Sequence, residues 1–289
     1  MKKSGYLFQA LRILVAKFMK KKIGIAGCGT IGTFIAKSID RDLQSLSKIA
    51  ALCDIDKEKA VKLSGLLSCK PAIVSFDKLV DKSDIVIEAA SSDASFSFAE
   101  KALKNGKDIM VMSIGGILER SHELFDLARK KKSRIILPSG AICGLDGIKS
   151  AKIGNISKVS LTTRKPPQGL RGAPYITVNK IDLDSITGET LIFKGSAQEA
   201  VRAFPKNINV SALLSVIGIG AKKTHVKIIT SPEYMVNTHE VEIEGDFGRL
   251  ISITENVACA DNPKTSFLAC LSAVASLKQA LEDFVKIGT

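Results

Sequence analysis

The sequence predicts an α/β protein, a Rossmann-type doubly wound parallel sheet followed by a second, mixed α+β domain. Three observations carry this reading. Near-continuous apolar runs alternate with helical patterns over residues 20–137, as expected for parallel strands covered on both faces. The first run turns into its helix through Gly27-Cys28-Gly29-Thr30-Ile31-Gly32, a G-x-G-x-x-G loop. Beyond about residue 142 the alternation gives way to strands with a polar and an apolar face.

In chain order, runs at 22–27, 49–53, 84–88, 108–112 and 134–137 predict the strands of the first sheet. Helices are expected near 31–41, 56–67, 93–105 and 119–132; Ile31, Phe34, Ile35 and Ile39 give the first its apolar face. Val159 to Thr163 reads as a strand stopped by Arg164-Lys165-Pro166-Pro167. Helices at 196–204 and 208–219 follow, then strands at 225–230, 236–243 and 249–254, the last two joined through Gly245-Asp246-Phe247-Gly248. A final helix is expected over 264–285, opened by Asp261-Asn262-Pro263 and faced by Phe267, Leu271, Val274, Leu281 and Val285. The domains are then 19–142 and 143–261, with the segment 262–289 free to pack back on the first. In residues 1–18, Leu7, Leu11, Leu14 and Phe18 share a helical face, but Arg12 and Lys17 interrupt it and no cleavage site follows. The segment reads as an extension or a peripheral helix, and a chain starting at Met19 is expected to keep its activity.

The 289 residues are 45% hydrophobic, enough for real cores. The net charge of +13 comes from scattered Lys and Arg, and with no Trp and three Tyr there is no stacking platform for nucleic acid. The positive field suits an anionic substrate and cofactor instead. Cys28, Cys53, Cys69, Cys143, Cys259 and Cys270 form no C-x-x-C pair, which argues against a zinc or redox motif and for reduced thiols in a cytoplasmic protein. No apolar run approaches the length of a membrane span.

Gly27 permits the tight turn, Gly29 lets backbone approach a pyrophosphate, and Gly32 lets the helix pack against the strand. Thr30 and Ile31 open the helix whose free N–H groups would hold the phosphates. Asp54 ends the second strand 27 residues after Gly27, later than the usual spacing of about 20, and would take the ribose hydroxyls. On the strand Asn237 to Glu244, His239 falls in register with Val241 and Ile243, facing inward, while Thr238, Glu240, Glu242 and Glu244 face solvent. A buried structural role is open to it, but beside a dinucleotide it is the best placed of the three histidines to handle a proton. Asn207 and Asn209 read either as helix caps or as partners of a nicotinamide amide or a carboxylate. Lys264 and Thr265, at the expected start of the last helix, suit a carboxylate or simply cap.

Gly27 to Gly32, Glu88-Ala89-Ala90-Ser91, Pro138-Ser139-Gly140-Ala141-Ile142, Thr162 to Pro167, Phe204-Pro205-Lys206-Asn207-Ile208-Asn209-Val210, Asn237-Thr238-His239 and Asn262-Pro263-Lys264-Thr265-Ser266 together resemble the L-aspartate dehydrogenase family in motif and order, from about Met19 onward. The resemblance implies oxidation of L-aspartate to iminosuccinate with NAD or NADP, in pyridine nucleotide biosynthesis, by a homodimer whose 143–261 domain holds substrate, catalysis and the dimer contact. It implies His239 as the catalytic histidine, with Ala141 and one of Asn207 or Asn209 on the cofactor. Arg164, Lys165 or Lys264 would then neutralise the dicarboxylate, a structural role for the first two being equally open. Dihydrodipicolinate reductase and homoserine dehydrogenase share such a two-domain plan, and a non-catalytic dinucleotide sensor is the rival of another class.

Overall fold

The structure is a computed structural model that describes residues 20–205, 209–282 and 288. The extension read into residues 1–18 lies outside them. The first sheet holds β1 (Lys21–Ala26), β2 (Ser47–Cys53), β3 (Ile85–Glu88), β4 (Asp108–Val111) and β5 (Ile135–Ile136). All pairings are parallel and the spatial order is β2-β1-β3-β4-β5. The chain crosses over β1 between β2 and β3, so strand order reverses beside the carboxyl end of β1. Ligands bind at that crevice in open α/β sheets. The connections are α1 (Thr30–Arg41), α2 (Lys57–Leu66), α3 (Phe76–Lys82), α4 (Ser92–Lys104), and a 3₁₀ segment Ile114–Arg120 that runs into α5 (Ser121–Lys131). α3 has no counterpart in the sequence reading.

α6 (Leu145–Ala151) leads to the second sheet, of order β10-β9-β6-β8-β7. Its strands are β6 (Ile156–Lys165), β7 (Thr190–Ser196), β8 (Thr224–Thr230), β9 (Asn237–Gly245) and β10 (Gly248–Asn256). β6 and β8 run parallel; the other neighbours are antiparallel. α7 (Pro174–Val178), α8 (Ala197–Ala203) and α9 (Asn209–Ile217) cover one face. β7 and α6 are also absent from the sequence reading. Val159, Leu161, Val241 and Ile243 of this sheet join Leu213 and Leu214 of α9 and Val111 and Ile114 of the first half in one apolar core. The junction is therefore packed, and whatever lies in it is held by both sheets.

β11 (Ala258–Cys259) and β12 (Asn262–Ser266) form a short antiparallel ribbon before α10 (Phe267–Leu281). This corrects the last helix. The polar pair and proline at 261–263 open a strand, not a helix; Ser266 is the N-cap, and Lys264 and Thr265 are strand residues. Pairing with β11 explains the difference: Asn262 lies opposite Cys259 and Ser266 opposite Ala258. α10 packs back on the first half, with Ala273 and Leu277 among Ile23, Ile25 and Leu52.

Candidate active site

The glycine loop has a geometry that would suit a phosphate. Gly27 has φ +100°, and a Cβ there would stand 2.2 Å from the Ala89 carbonyl oxygen. A Cβ on Gly32 would stand 1.9 Å from the Gly27 oxygen, so only glycine lets α1 start this close to β1. A Cβ on Gly29 meets nothing within 4 Å: the space beside it is open for a ligand. α1 begins at Thr30, and Gly29 provides no side-chain cap, a helix start of the kind that suits an anion. Asp54 stands at the end of β2 and ties the loop, accepting hydrogen bonds from the Cys28 N–H at 2.6 Å and the Asp56 N–H at 2.9 Å. The loop, helix start and carboxylate fit a dinucleotide.

Beneath it, Glu88 fixes the ends of β3 and β4. Its carboxylate is fully buried. It accepts from the Ala90 N–H at 2.9 Å, the Ser113 N–H at 3.0 Å and the Ser113 hydroxyl at 2.9 Å. Burial pushes its pKa up and these donors pull against that. The sequence placed Glu88 in a motif without a role; this is the role.

A cleft of about 190 Å³ lies between the two sheets. Ile31, Ser139 and Ala141 line it from the dinucleotide half, Asn209, Asn237, His239 and Lys165 from the second, and Thr265 and Ser266 from β12. His239 is 7% exposed and its Nδ1 lies 3.0 Å from the Thr163 hydroxyl. Burial, and then the neighbouring Lys165, push its pKa down to about 3, so the ring is neutral at working pH. Lys165 alternates inward with Thr163 along β6, is 6% exposed, and burial pushes its pKa down to about 8. Asn209 spans the junction: its Oδ1 accepts from the Gly115 N–H at 3.1 Å. The Ala141 carbonyl is anchored by the Thr254 hydroxyl at 2.9 Å and Asn256 Nδ2 at 3.0 Å. Asn256 in turn accepts from the Ser266 hydroxyl at 2.6 Å, so one buried amide positions the Ala141 turn and the end of β12 together.

The structure thus brings Ile31, Ala141, Asn209, His239 and Thr265 to one cleft, with Gly27, Gly29, Thr30, Gly32 and Asp54 in the adjoining loop. It does not bring Arg164 there. Arg164 sits on the opposite face of β6, its Nη1 2.8 Å from Glu240. Strand alternation is the reason: residues 163 and 165 face inward, so 164 faces out. Lys165 takes the place that the sequence reading allowed to either. Asn207 and the Lys264 side chain lie outside the described part of the molecule. Lys165 and Asn256 are the residues that patterning undervalued. The signal for Lys165 was its even spacing from Thr163.

The comparisons with known proteins point to one family. Residues 146–280 match the family model for the aspartate dehydrogenase C-terminal domain, and residues 27–138 that for the homoserine dehydrogenase NAD-binding domain. The L-aspartate dehydrogenase of Methanosarcina mazei is 45% identical over 271 residues, 93% of this chain and 99% of that protein. The chain belongs to the L-aspartate dehydrogenase family. The L-aspartate dehydrogenase of Nitrosopumilus maritimus is 44% identical over 93% of this chain and all of that protein. Among solved structures, aspartate dehydrogenase from Thermotoga maritima superposes with a TM-score of 0.69 at 25% identity, over 93% of this chain and all of that one. A hyperthermophilic archaeal homoserine dehydrogenase shares the fold, with a TM-score of 0.59 at 15% identity over 93% of this chain and 99% of that one. The His239 strand, the 162–167 segment and β12 all fall inside the part matched by the aspartate dehydrogenase C-terminal model.

Proposed function

We propose that this enzyme oxidises L-aspartate to iminosuccinate with NAD or NADP, in pyridine nucleotide biosynthesis, iminosuccinate giving oxaloacetate and ammonia on hydrolysis. The observation that carries the reading is the joining of a phosphate-type helix start to a cleft holding His239 and Lys165. When bound, the nicotinamide accepts the hydride. Gly29 and the N–H groups of Thr30 and Ile31 hold the pyrophosphate, Asp54 the ribose, and Ala141 and Asn209 the nicotinamide end. Thr265 and the Lys165 side of the cleft receive the dicarboxylate. Before hydride can leave Cα, the substrate ammonium must give up a proton, and among the described residues His239 and Lys165 are the bases that line the cleft.

NAD is the expected preference. Asp54 offers oxygens to ribose hydroxyls and repels a 2′-phosphate. The deciding experiment follows absorbance at the reduced-nicotinamide band with L-aspartate and each cofactor, beside glutamate, alanine and homoserine. Aspartate-dependent reduction supports the reading; cofactor binding without turnover of any of the four amino acids means a dinucleotide sensor, and turnover of homoserine alone means the sister enzyme.

The second sheet supports a homodimer. Its outer face carries Ile251 and Ile253, 46% and 59% exposed, beside Glu240 and Glu242, and no described helix covers it. Sedimentation of the parent and of Ile253→Asp tests this: a dimer that turns monomeric is expected. Among the described residues no helix is long and apolar enough to cross a membrane.

A further inference from the structure

Thr163 and His239 are directly paired across β6 and β9, and both side chains are buried. Their hydrogen bond, 3.0 Å between Oγ1 and Nδ1, can run in either direction. In one, the ring N–H donates to the hydroxyl oxygen and the hydroxyl proton must go elsewhere. Among the described residues the Thr163 hydroxyl has His239 as its one hydrogen-bond partner. That direction would therefore bury an O–H with no acceptor, which costs its full desolvation. In the other, the hydroxyl donates to the bare Nδ1 and both groups are satisfied. The ring is neutral and carries one proton, which then sits on Nε2, the nitrogen left for the cleft.

We propose that Thr163 fixes His239 as the Nε2–H tautomer, a hydrogen-bond donor to the substrate, and that the substrate's ammonium proton passes to Nζ of Lys165. This rests on the aspartate-oxidising reading above. A neutral ring already protonated at Nε2 has no lone pair facing the cleft, so it cannot take that proton. Lys165 lies on the same face of β6, two residues from Thr163, and lines the same cleft. In the step an N–H bond of the ammonium breaks, an N–H bond forms at Lys165, and the substrate nitrogen keeps the electron pair that becomes the C=N π bond as hydride leaves Cα. Burial leaves Lys165 a substantial free-base fraction near pH 8, as the step requires. His239 Nε2–H and Thr265 are then the donors that meet a substrate carboxylate.

Two experiments test this. With three histidines in the chain, long-range ¹⁵N–¹H correlation on the full-length protein without substrate resolves each ring, and His239→Gln assigns the signal that disappears. The expected pattern is a bare Nδ1 and a protonated Nε2 in the parent and in Thr163→Ser, and mixed tautomers in Thr163→Val. A bare Nε2 in the parent would make His239 the base and overturn the proposal. Kinetics test the acceptor. Lys165→Arg keeps the charge but not the free base, and should lower kcat by roughly 10²-fold or more. Added methylamine should restore part of the kcat lost in Lys165→Ala. An Arg variant near the parent rate would show that Lys165 supplies charge only, and overturns the transfer. Thr163→Val should lower kcat with the KM for NAD unchanged, and Thr163→Ser should recover it. If the parent does not oxidise aspartate at all, the function fails and the transfer with it, while the tautomer measurement still decides the role of Thr163.

Discussion

Gly29 and Gly32 stand three residues apart in one loop, yet their alanine variants should fail in opposite ways. A Cβ on Gly32 meets the Gly27 oxygen at 1.9 Å and must push α1 off β1. Gly32→Ala should lower the melting temperature, by about 1–3 kcal/mol of stability for such overpacking. A Cβ on Gly29 meets no protein atom within 4 Å, so Gly29→Ala should melt like the parent. It should lose roughly tenfold or more in NAD affinity, about 1.4 kcal/mol, because the methyl occupies the phosphate's place. Thermal melts and NAD titration of both variants check this; equal NAD affinity in Gly29→Ala would remove the pyrophosphate from the loop. At His239 the expectation is catalytic. His239→Ala removes a donor to the charged substrate and should lower kcat/KM for aspartate by roughly 10–10²-fold with little change in cofactor affinity. A purely structural histidine would instead lower activity only in step with the folded fraction, which a melt beside the assay separates.

Among the elements, those the sequence shows plainly are those buried in a uniform way. β1 to β4 are buried over most of their length, so their central runs are apolar and stand out from the helices between them. β9 is covered on one face, so strict alternation shows both the strand and the inward turn of His239. β7 is an edge strand with a register shift between Leu191 and Phe193, which breaks the alternation that would have revealed it. α3 spans Phe76–Lys82, two turns, too short for a helical period to emerge. β12 misled for a different reason: Asn, Pro and Lys at 262–264 are as good a helix start as any, and only the partner strand β11, invisible locally, decides otherwise. The same non-local limit left Lys165 level with Arg164 as a candidate. Its place in the cleft depends on which face of β6 the other sheet covers, and the prolines after it suggested only a strand end. Arg164, on the open face, is correspondingly expected to be a minor residue. Arg164→Ala breaks a part-exposed pair with Glu240, and such pairs are worth about 0–1 kcal/mol. The KM for aspartate should stay within about twofold, under 0.5 kcal/mol; a large rise would place Arg164 on the substrate after all.

At the scale of the whole molecule, the cleft carries a cost in stability that pH exposes. Lys165 has its pKa pushed from the ordinary 10.5 down to about 8 in the folded protein. Between those values the unfolded chain binds more protons than the folded one, so this residue makes stability rise with pH. Below about 8 both states are protonated and the whole of this net cost is present; above 10.5 it is gone. The distance between the two values corresponds to about 3 kcal/mol. His239 acts at the acid end in the same direction: its pKa falls from 6.5 to about 3, so stability is lost as pH drops from 6.5 towards 3. A substitution separates the two. Lys165→Met keeps the stem's volume and removes the charge, so it should melt higher than the parent at pH 7. Its advantage should shrink through the interval from about 8 to 10.5, while the loss of stability towards acid should remain but ease, because the Lys165 charge no longer helps to depress the His239 pKa. Denaturant midpoints of both proteins at pH 5, 7 and 10.5 make the comparison. A Lys165→Met protein less stable than the parent at pH 7 would mean that the contacts of the ammonium outweigh its burial, and the free base proposed for the reaction would lose its physical basis.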